Sequence, residues 1–191
     1  MYFGNVKKRY YGIEKDTNKK YIRGLNIIRK DAPKFIKEKL NELVELCIRD
    51  KLTLKNIIDF RKEIETIEYS KLGISKSFGK TFNDYKKTIP QHLSGAKWAN
   101  EILGTNIDHN DNPLLFYIIS KCEEELKPKK RHSAICINDE NLNLIDLNKD
   151  KFTIDYETIF NKQILEQLKE FDLIPNVKKI INEYEEKTST I

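Results

Sequence analysis

The period of the apolar residues changes at Asp31-Ala32-Pro33, and that change bounds what the chain can fold into. Before it, residues 2–13 and 21–28 are rich in Tyr, Phe, Val and Ile at alternating positions, the two-residue period of a strand. "KDTNKK" at 15–20 lies between them with turn chemistry, so the segment predicts a β-hairpin. A two-stranded hairpin is marginal by itself in water, and a sheet from outside this chain is expected to support it. After the change, Asp31 is placed to cap a helix and Pro33 to sit in its first turn. Ile36, Leu40, Leu43, Val44 and Cys47 then recur at helical spacing.

Thr53 opens a second predicted helix, with Leu54, Ile57, Ile58, Ile64 and Ile67 on one side. Residues 71–90 hold two glycines and short apolar pieces, which suit a loop or short extended segments. A third helix fits 91–103, with Leu93, Ala96, Ala99, Ile102 and Leu103 inward. "DHNDNP" at 108–113 is a turn, and 114–120 is a short buried-strand candidate. Residues 121–152 are polar and mixed, with "KPKKRH" at 127–132 exposed. Asp155 is positioned to cap a helix over 156–171, and Pro175 starts a last one carrying Val177, Ile180, Ile181 and Tyr184. Trp98 and Phe116 are expected as core anchors. The fold class is α+β and mainly helical, with a basic hairpin in 1–30 and a mostly helical domain in 31–191.

Charge is unevenly distributed. Residues 1–40 carry 12 Lys+Arg and 4 Asp+Glu, whereas the remaining chain carries 23 and 26. The positive field is therefore local, and a local basic patch points to a polyanion. Like charge on a hairpin repels itself unless an anion lies against it. No stretch approaches the roughly 20 apolar residues of a membrane helix, so no membrane partner is expected. Lys7-Lys8-Arg9 has no apolar run behind it, which does not fit a secretory leader. Cys47, Cys122 and Cys136 are widely spaced and odd in number, so neither a disulfide framework nor a four-thiolate metal site fits. Reduced thiols in the cytoplasm or nucleus are expected.

Binding a polynucleotide takes cations for phosphates and flat rings for sugars or bases. Lys7, Lys8, Arg9, Tyr10 and Tyr11 supply both within five residues. A strand shows alternate residues on one face, so either Lys8 with Tyr10, or Lys7 with Arg9 and Tyr11, can meet one ligand. Arg23, Arg29 and Lys30 lie across the turn, and Gly24 permits close backbone approach. Asp108, His109 and Asp111 offer metal-type atoms without further ligands at suitable spacing, and an exposed turn is the simpler expectation. No grouping points to a catalytic nucleophile, and no glycine loop to a phosphate cradle; catalytic and metal residues are expected to be none.

"KKRYYG" followed by "YIRGLNIIRKDAP" resembles the end of the palm in B-family DNA polymerases. There a Lys-Lys-x-Tyr stretch precedes a hairpin of the form Lys-Gly-(Ile/Leu)-Glu-x-(Val/Ile)-Arg-Arg-Asp, and the thumb begins. Lys7, Lys8, Arg9 and Tyr10, then Arg23-Gly24-Leu25, then Ile28-Arg29-Lys30-Asp31 take those positions. Downstream, "ISKSFGKTFNDYKKTIPQHLSGAKWANEI" at 74–102 is similar to the family's thumb, with Ser75, Lys76, Lys80, Tyr85, Lys86, Pro90, His92 and Ala96 in place. "NPLLFYII" at 112–119 and "IDYETIFNKQILEQL" at 154–168 resemble the strand and late helix that follow. Asn26 stands where the family usually has Glu, Lys30 where it usually has Arg, and Tyr156-Glu157 where it has paired tyrosines. Lys30 keeps the charge without the planar two-pronged donor set.

The resemblance implies a palm-end hairpin in 1–30 and a thumb in 31–191, from a viral or phage-like polymerase or a split-gene product. It implies that Lys8 and Tyr10, with Lys7 and Arg9 nearby, meet the primer-template minor groove, and that Arg23 and Arg29 hold phosphates. It implies further that Ser75, Lys76, Lys80, Tyr85, Lys86 and His92 grip the duplex, although His92 is also placed to cap or pack a helix. The family's two-metal aspartate strings, "DxxSLYP" and "DTD", do not occur in this sequence. Mg²⁺ is thus expected for the parent enzyme and none in this chain, which would work with the missing palm, fingers and exonuclease portions. The alternative is a stand-alone basic module for RNA or DNA.

Overall fold

The computed structural model describes residues 2–3, 10–30, 32–85, 88–111, 113–122 and 133–189. Lys7, Lys8, Arg9, Asp31, Lys86 and the 127–132 basic run lie outside them. In chain order the elements are β1 (Tyr2–Phe3), β2 (Tyr10–Ile13), β3 (Lys20–Arg23), α1 (Lys34–Ile48), α2 (Leu54–Glu63), α3 (Tyr69–Leu72), β4 (Ile74–Lys76), α4 (Gln91–Leu103), β5 (Leu114–Cys122), β6 (Ala134–Ile137), α5 (Asn143–Leu147), β7 (Phe152–Ile154), α6 (Tyr156–Phe160), α7 (Glu166–Leu168) and α8 (Pro175–Ser189). The fold is α+β and mainly helical, with small antiparallel sheets. It divides into two compact units, Met1–Ile67 with Glu157–Ile191, and Glu68–Tyr156.

In the first unit β1, β2 and β3 pair antiparallel in that order. Ile13 faces Lys20 and Tyr10 faces Arg23 across the hairpin. Asn18 takes a positive φ of 54° in the connecting loop, and its N–H donates to Glu14 O at 3.0 Å. Asn tolerates that left-handed geometry better than most residues. The strand expected to run to residue 28 stops sooner. Gly24 turns the chain at φ 74°, and Asn26–Ile28 form a 3₁₀ turn. Nor does the hairpin depend wholly on an outside sheet: Tyr11 and Leu25 are fully buried, and Tyr11 bonds to α1.

Helix α1 begins two residues later than a cap at Asp31 would start it, with Pro33 at the N-cap position and not in the first turn. Thr53 caps α2 as the sequence suggests. Asn56 N–H donates to Thr53 Oγ1 at 3.3 Å, and Thr53 N–H donates back to Asn56 Oδ1 at 2.9 Å, a reciprocal cap. The core of this unit is a row of rings: Phe35–Phe60 at 5.4 Å, Phe60–Phe160 at 5.8 Å and Phe160–Tyr184 at 5.6 Å between centroids. The helix expected over 156–171 is broken by a π-helical turn at Asn161–Leu165 and ends in a 3₁₀ turn at Lys169–Phe171.

In the second unit β5 is central. It pairs with β4 through Ile74↔Phe116, with β6 through Phe116↔Cys136, and with β7 through Ile119↔Ile154. One of these partners, β6, lies in the stretch read as polar and mixed, and β7 begins at its last residue. Leu114 to Tyr117 and all of β6 are buried, so both faces of the sheet are covered. Two glycines permit this. A Cβ on Gly95 of α4 would lie 3.1 Å from Ala134 O of β6, and one on Gly73 would lie 2.7 Å from Tyr117 Oη. Trp98 and Phe116 are buried as expected, and Trp98 meets Phe152 edge-on at 5.8 Å. Gly104 ends α4 at φ 69°, a left-handed helix stop. Cys47 and Cys136 are buried free thiols, each pushed up to about 12 by burial.

Candidate nucleic-acid interface

The hairpin register sorts its side chains. Tyr11, Ile13, Lys20 and Ile22 occupy one face; Tyr10, Gly12, Tyr21 and Arg23 occupy the other. The first face is turned to α1. The Tyr11 phenol lies 3.1 Å from Asn41 Oδ1 and 3.2 Å from Glu45 Oε1, and Asn41 Nδ2 donates to the same Glu45 oxygen at 3.1 Å. The Lys20 ammonium also donates to that oxygen. The Lys20 hydrogen bond, opposed by partial burial, holds the Glu45 carboxyl below its usual range. Burial, reinforced by Glu45, pushes the Tyr11 phenol up. Tyr11 is therefore an anchor, and the grouping that would set it against a ligand with Lys7 and Arg9 does not hold for its ring.

On the second face Tyr21 is exposed and Gly12 is buried. Tyr10 is half-buried and Arg23 exposed, and as directly opposed partners their side chains stand roughly 5 Å apart at Cβ. Arg29 and Lys30 are exposed beyond the 3₁₀ turn. Sequence reasoning missed Tyr21 on this face, with the Lys19 ammonium 5.2 Å from its ring centroid. The signal was available, since Tyr21 and Arg23 are two apart on one strand.

In the second unit Ser75 and Lys76 lie half-buried on β4, and His92 lies in the first turn of α4. His92 forms a hydrogen bond with the Ser77 main chain. Burial holds its imidazole below the usual range, and the nearby Lys76 charge adds to this. Lys80 is exposed and Tyr85 half-buried in the 77–90 connection. Lys76 and His92 are thus near one another, while Ser75, adjacent to Lys76 on β4, faces the other side of that strand.

Among the described residues, no three His, Cys, Asp or Glu side chains are grouped to hold a metal ion. Asp108 and Asp111 engage their own turn: Asp111 Oδ2 accepts from Asp108 N–H at 2.8 Å, and Asp108 Oδ1 from Asn110 N–H at 2.7 Å. No helix among them is long and apolar enough to cross a membrane.

These features define an α+β, mainly helical chain that displays rings and cations on one face of a hairpin. Residues 5–172 match the family model of DNA polymerase family B, and the chain belongs to that family. It is also similar to DNA polymerase 1 of Saccharolobus solfataricus, with 28% identity over 138 residues. That match covers 66% of this chain and 15% of the relative, so the chain aligns with a small part of that protein's length.

Proposed function

We propose that the chain is the palm-end hairpin (1–30) and thumb (31–191) of a B-family DNA-directed DNA polymerase, viral or phage-like, and binds primer-template duplex during DNA synthesis. The observation that carries this reading is the second face of the hairpin, where Tyr10 and Arg23 stand side by side within the most basic part of the chain. A face with a ring and cations suits phosphates and sugars without reading sequence, as copying any template demands. Lys7, Lys8, Arg9, Tyr10, Arg23, Gly24, Arg29 and Lys30 are the contacts proposed in the hairpin. Ser75, Lys76, Lys80, Tyr85, Lys86 and His92 are those proposed in the thumb.

The Mg²⁺ ions of nucleotidyl transfer, and the aspartates that hold them, belong in this reading to the remainder of the parent enzyme. The chain alone binds and positions. It acts in the cytoplasm or nucleus, wherever the parent replicates DNA. The test is anisotropy of a labelled primer-template duplex titrated with the pure chain across a salt series. Expected is sequence-independent binding whose log affinity falls with log salt by about 0.9 per phosphate neutralised. No nucleotide incorporation with Mg²⁺ is expected. Preference for single-stranded RNA over duplex DNA would favour the stand-alone module instead, and incorporation by the pure chain would sink the division of labour.

A further inference from the structure

We propose that Lys19 and Tyr21 form a paired contact for the sugar-phosphate backbone of the bound nucleic acid, the ring against a sugar and the ammonium against a phosphate. This rests on the reading of the hairpin's second face as a nucleic-acid surface, and extends that surface to its loop end.

Four observations carry it. Tyr21 and Arg23 share one face by the two-residue period of β3, and Lys19 immediately precedes that strand. Tyr21 is 36% exposed, on a hairpin whose Tyr11 is fully buried and whose Tyr10 is half-buried. The residue opposite Tyr21 is Gly12, which has no side chain to cover the ring. The Lys19 ammonium lies 5.2 Å from the ring centroid, within the range of a cation–π contact. The adjacent lysine shows the contrast: Lys20 points to the opposite face and is tied to Glu45. Of two neighbouring cations, one is fixed to the fold and one is displayed beside an aromatic ring.

The pairing also chooses among ligand groups. A base seeks an open π-face on which to stack. Here an ammonium already lies over the ring, so less of that face is offered. The ring edge and phenol remain, with a cation within reach of any phosphate they approach. That combination suits backbone.

The experiment uses the full chain and a labelled primer-template duplex, titrated at several KCl concentrations. Tyr21→Leu is expected to weaken binding about fivefold at every salt concentration with an unchanged salt slope, because the lost contact is not ionic. Tyr21→Phe, which keeps the ring, is expected to stay within about twofold. Lys19→Gln is expected to reduce the magnitude of the slope by about 0.9, one phosphate. Arg23→Gln serves as the control for the wider reading. Unaltered affinity and slope in both Tyr21→Leu and Lys19→Gln, where Arg23→Gln weakens binding, would overturn the paired contact and leave the wider reading standing. If the unaltered chain does not bind, or Arg23→Gln changes nothing, the reading on which it rests fails instead. Nitration of tyrosines in the unaltered chain, mapped by mass spectrometry, needs no variant. Saturating duplex should protect Tyr21, and unchanged nitration would likewise overturn the contact.

Discussion

Tyr11 and Phe116 are both buried aromatic residues on antiparallel strands, yet their surroundings differ. Tyr11 belongs to a hairpin with one face on α1, and its phenol reaches a cluster of Asn41, Glu45 and Lys20. The opposite face carries Tyr21 and Arg23 into solvent. Phe116 belongs to a strand whose neighbours Leu115 and Tyr117 are buried as well, so nothing on that stretch is shown to water. A strand covered on one side keeps a face for a ligand but needs a polar tie to hold its angle. A strand covered on both sides is scaffold, held by fit. The second unit should therefore be sensitive to volume, and the hairpin to hydrogen bonds.

The largest expected effect is in the doubly covered sheet. Trp98→Ala removes a fully buried ring that meets Phe152, and should cost about 3–5 kcal/mol. Amide hydrogen exchange would show it as faster exchange along β5 and β6. Equal acceleration along β2 and β3 would break the distinction between the two regions.

Gly73→Ala comes next. The new methyl would lie 2.7 Å from Tyr117 Oη and 2.8 Å from Leu115 Cβ, and the Tyr117 phenol is held by a 2.7 Å hydrogen bond to Tyr69 O. Overpacking of this kind costs about 1–3 kcal/mol. Denaturant melts of Gly73→Ala, read beside exchange at β4–β5, measure it. A neutral outcome would mean that the sheet is less tightly fitted than its glycines indicate.

Tyr11→Phe is the matching change in the hairpin and should cost less, about 1 kcal/mol. The ring stays buried, and Glu45 keeps Asn41 and Lys20 as donors. Exchange should quicken at β2 and β3. A loss larger than that of Gly73→Ala would reverse the proposed ranking.

The same contrast explains what the sequence disclosed. Alternation was visible at 10–13 and 20–23 because one side of the hairpin is wet, and helical spacing was visible in α1, α2, α4 and α8 because each has an outer face. Strand β6 hid because "AICI" is four residues buried on both faces, leaving no period to read. Strand β7 hid because three residues are too few. The hairpin's apparent need for an outside sheet came from not seeing that α1 would cover Tyr11, a contact thirty residues away. At the candidate interface, residue types identified Tyr10 and Arg23. Tyr21, two residues from Arg23, was equally legible by strand spacing but was passed over, and the register sets it opposite Gly12.

Acid should separate the two regions by window, with the smallest effects of all. His92 in the second unit has its imidazole lowered by burial, so below the ordinary His value of about 6.5 the unfolded chain binds the proton more readily than the folded one. Stability of that unit is then full above this value and is lost as pH falls toward the lowered folded pKa. Glu45 in the hairpin seam has its carboxyl lowered chiefly by Lys20. Its contribution is full above the ordinary Glu value of about 4.3 and is lost only as pH falls through the lowered folded one. The Lys20–Glu45 pair is half-exposed, so the second loss should stay within about 1 kcal/mol. Exchange-derived stabilities across pH 3–8 should therefore show β4–β5 amides weakening before those of β2–β3. His92→Gln should flatten the upper window alone, and Glu45→Gln the lower window alone. If both regions weakened together near neutral pH, the carboxylate would not be what ties the hairpin to α1.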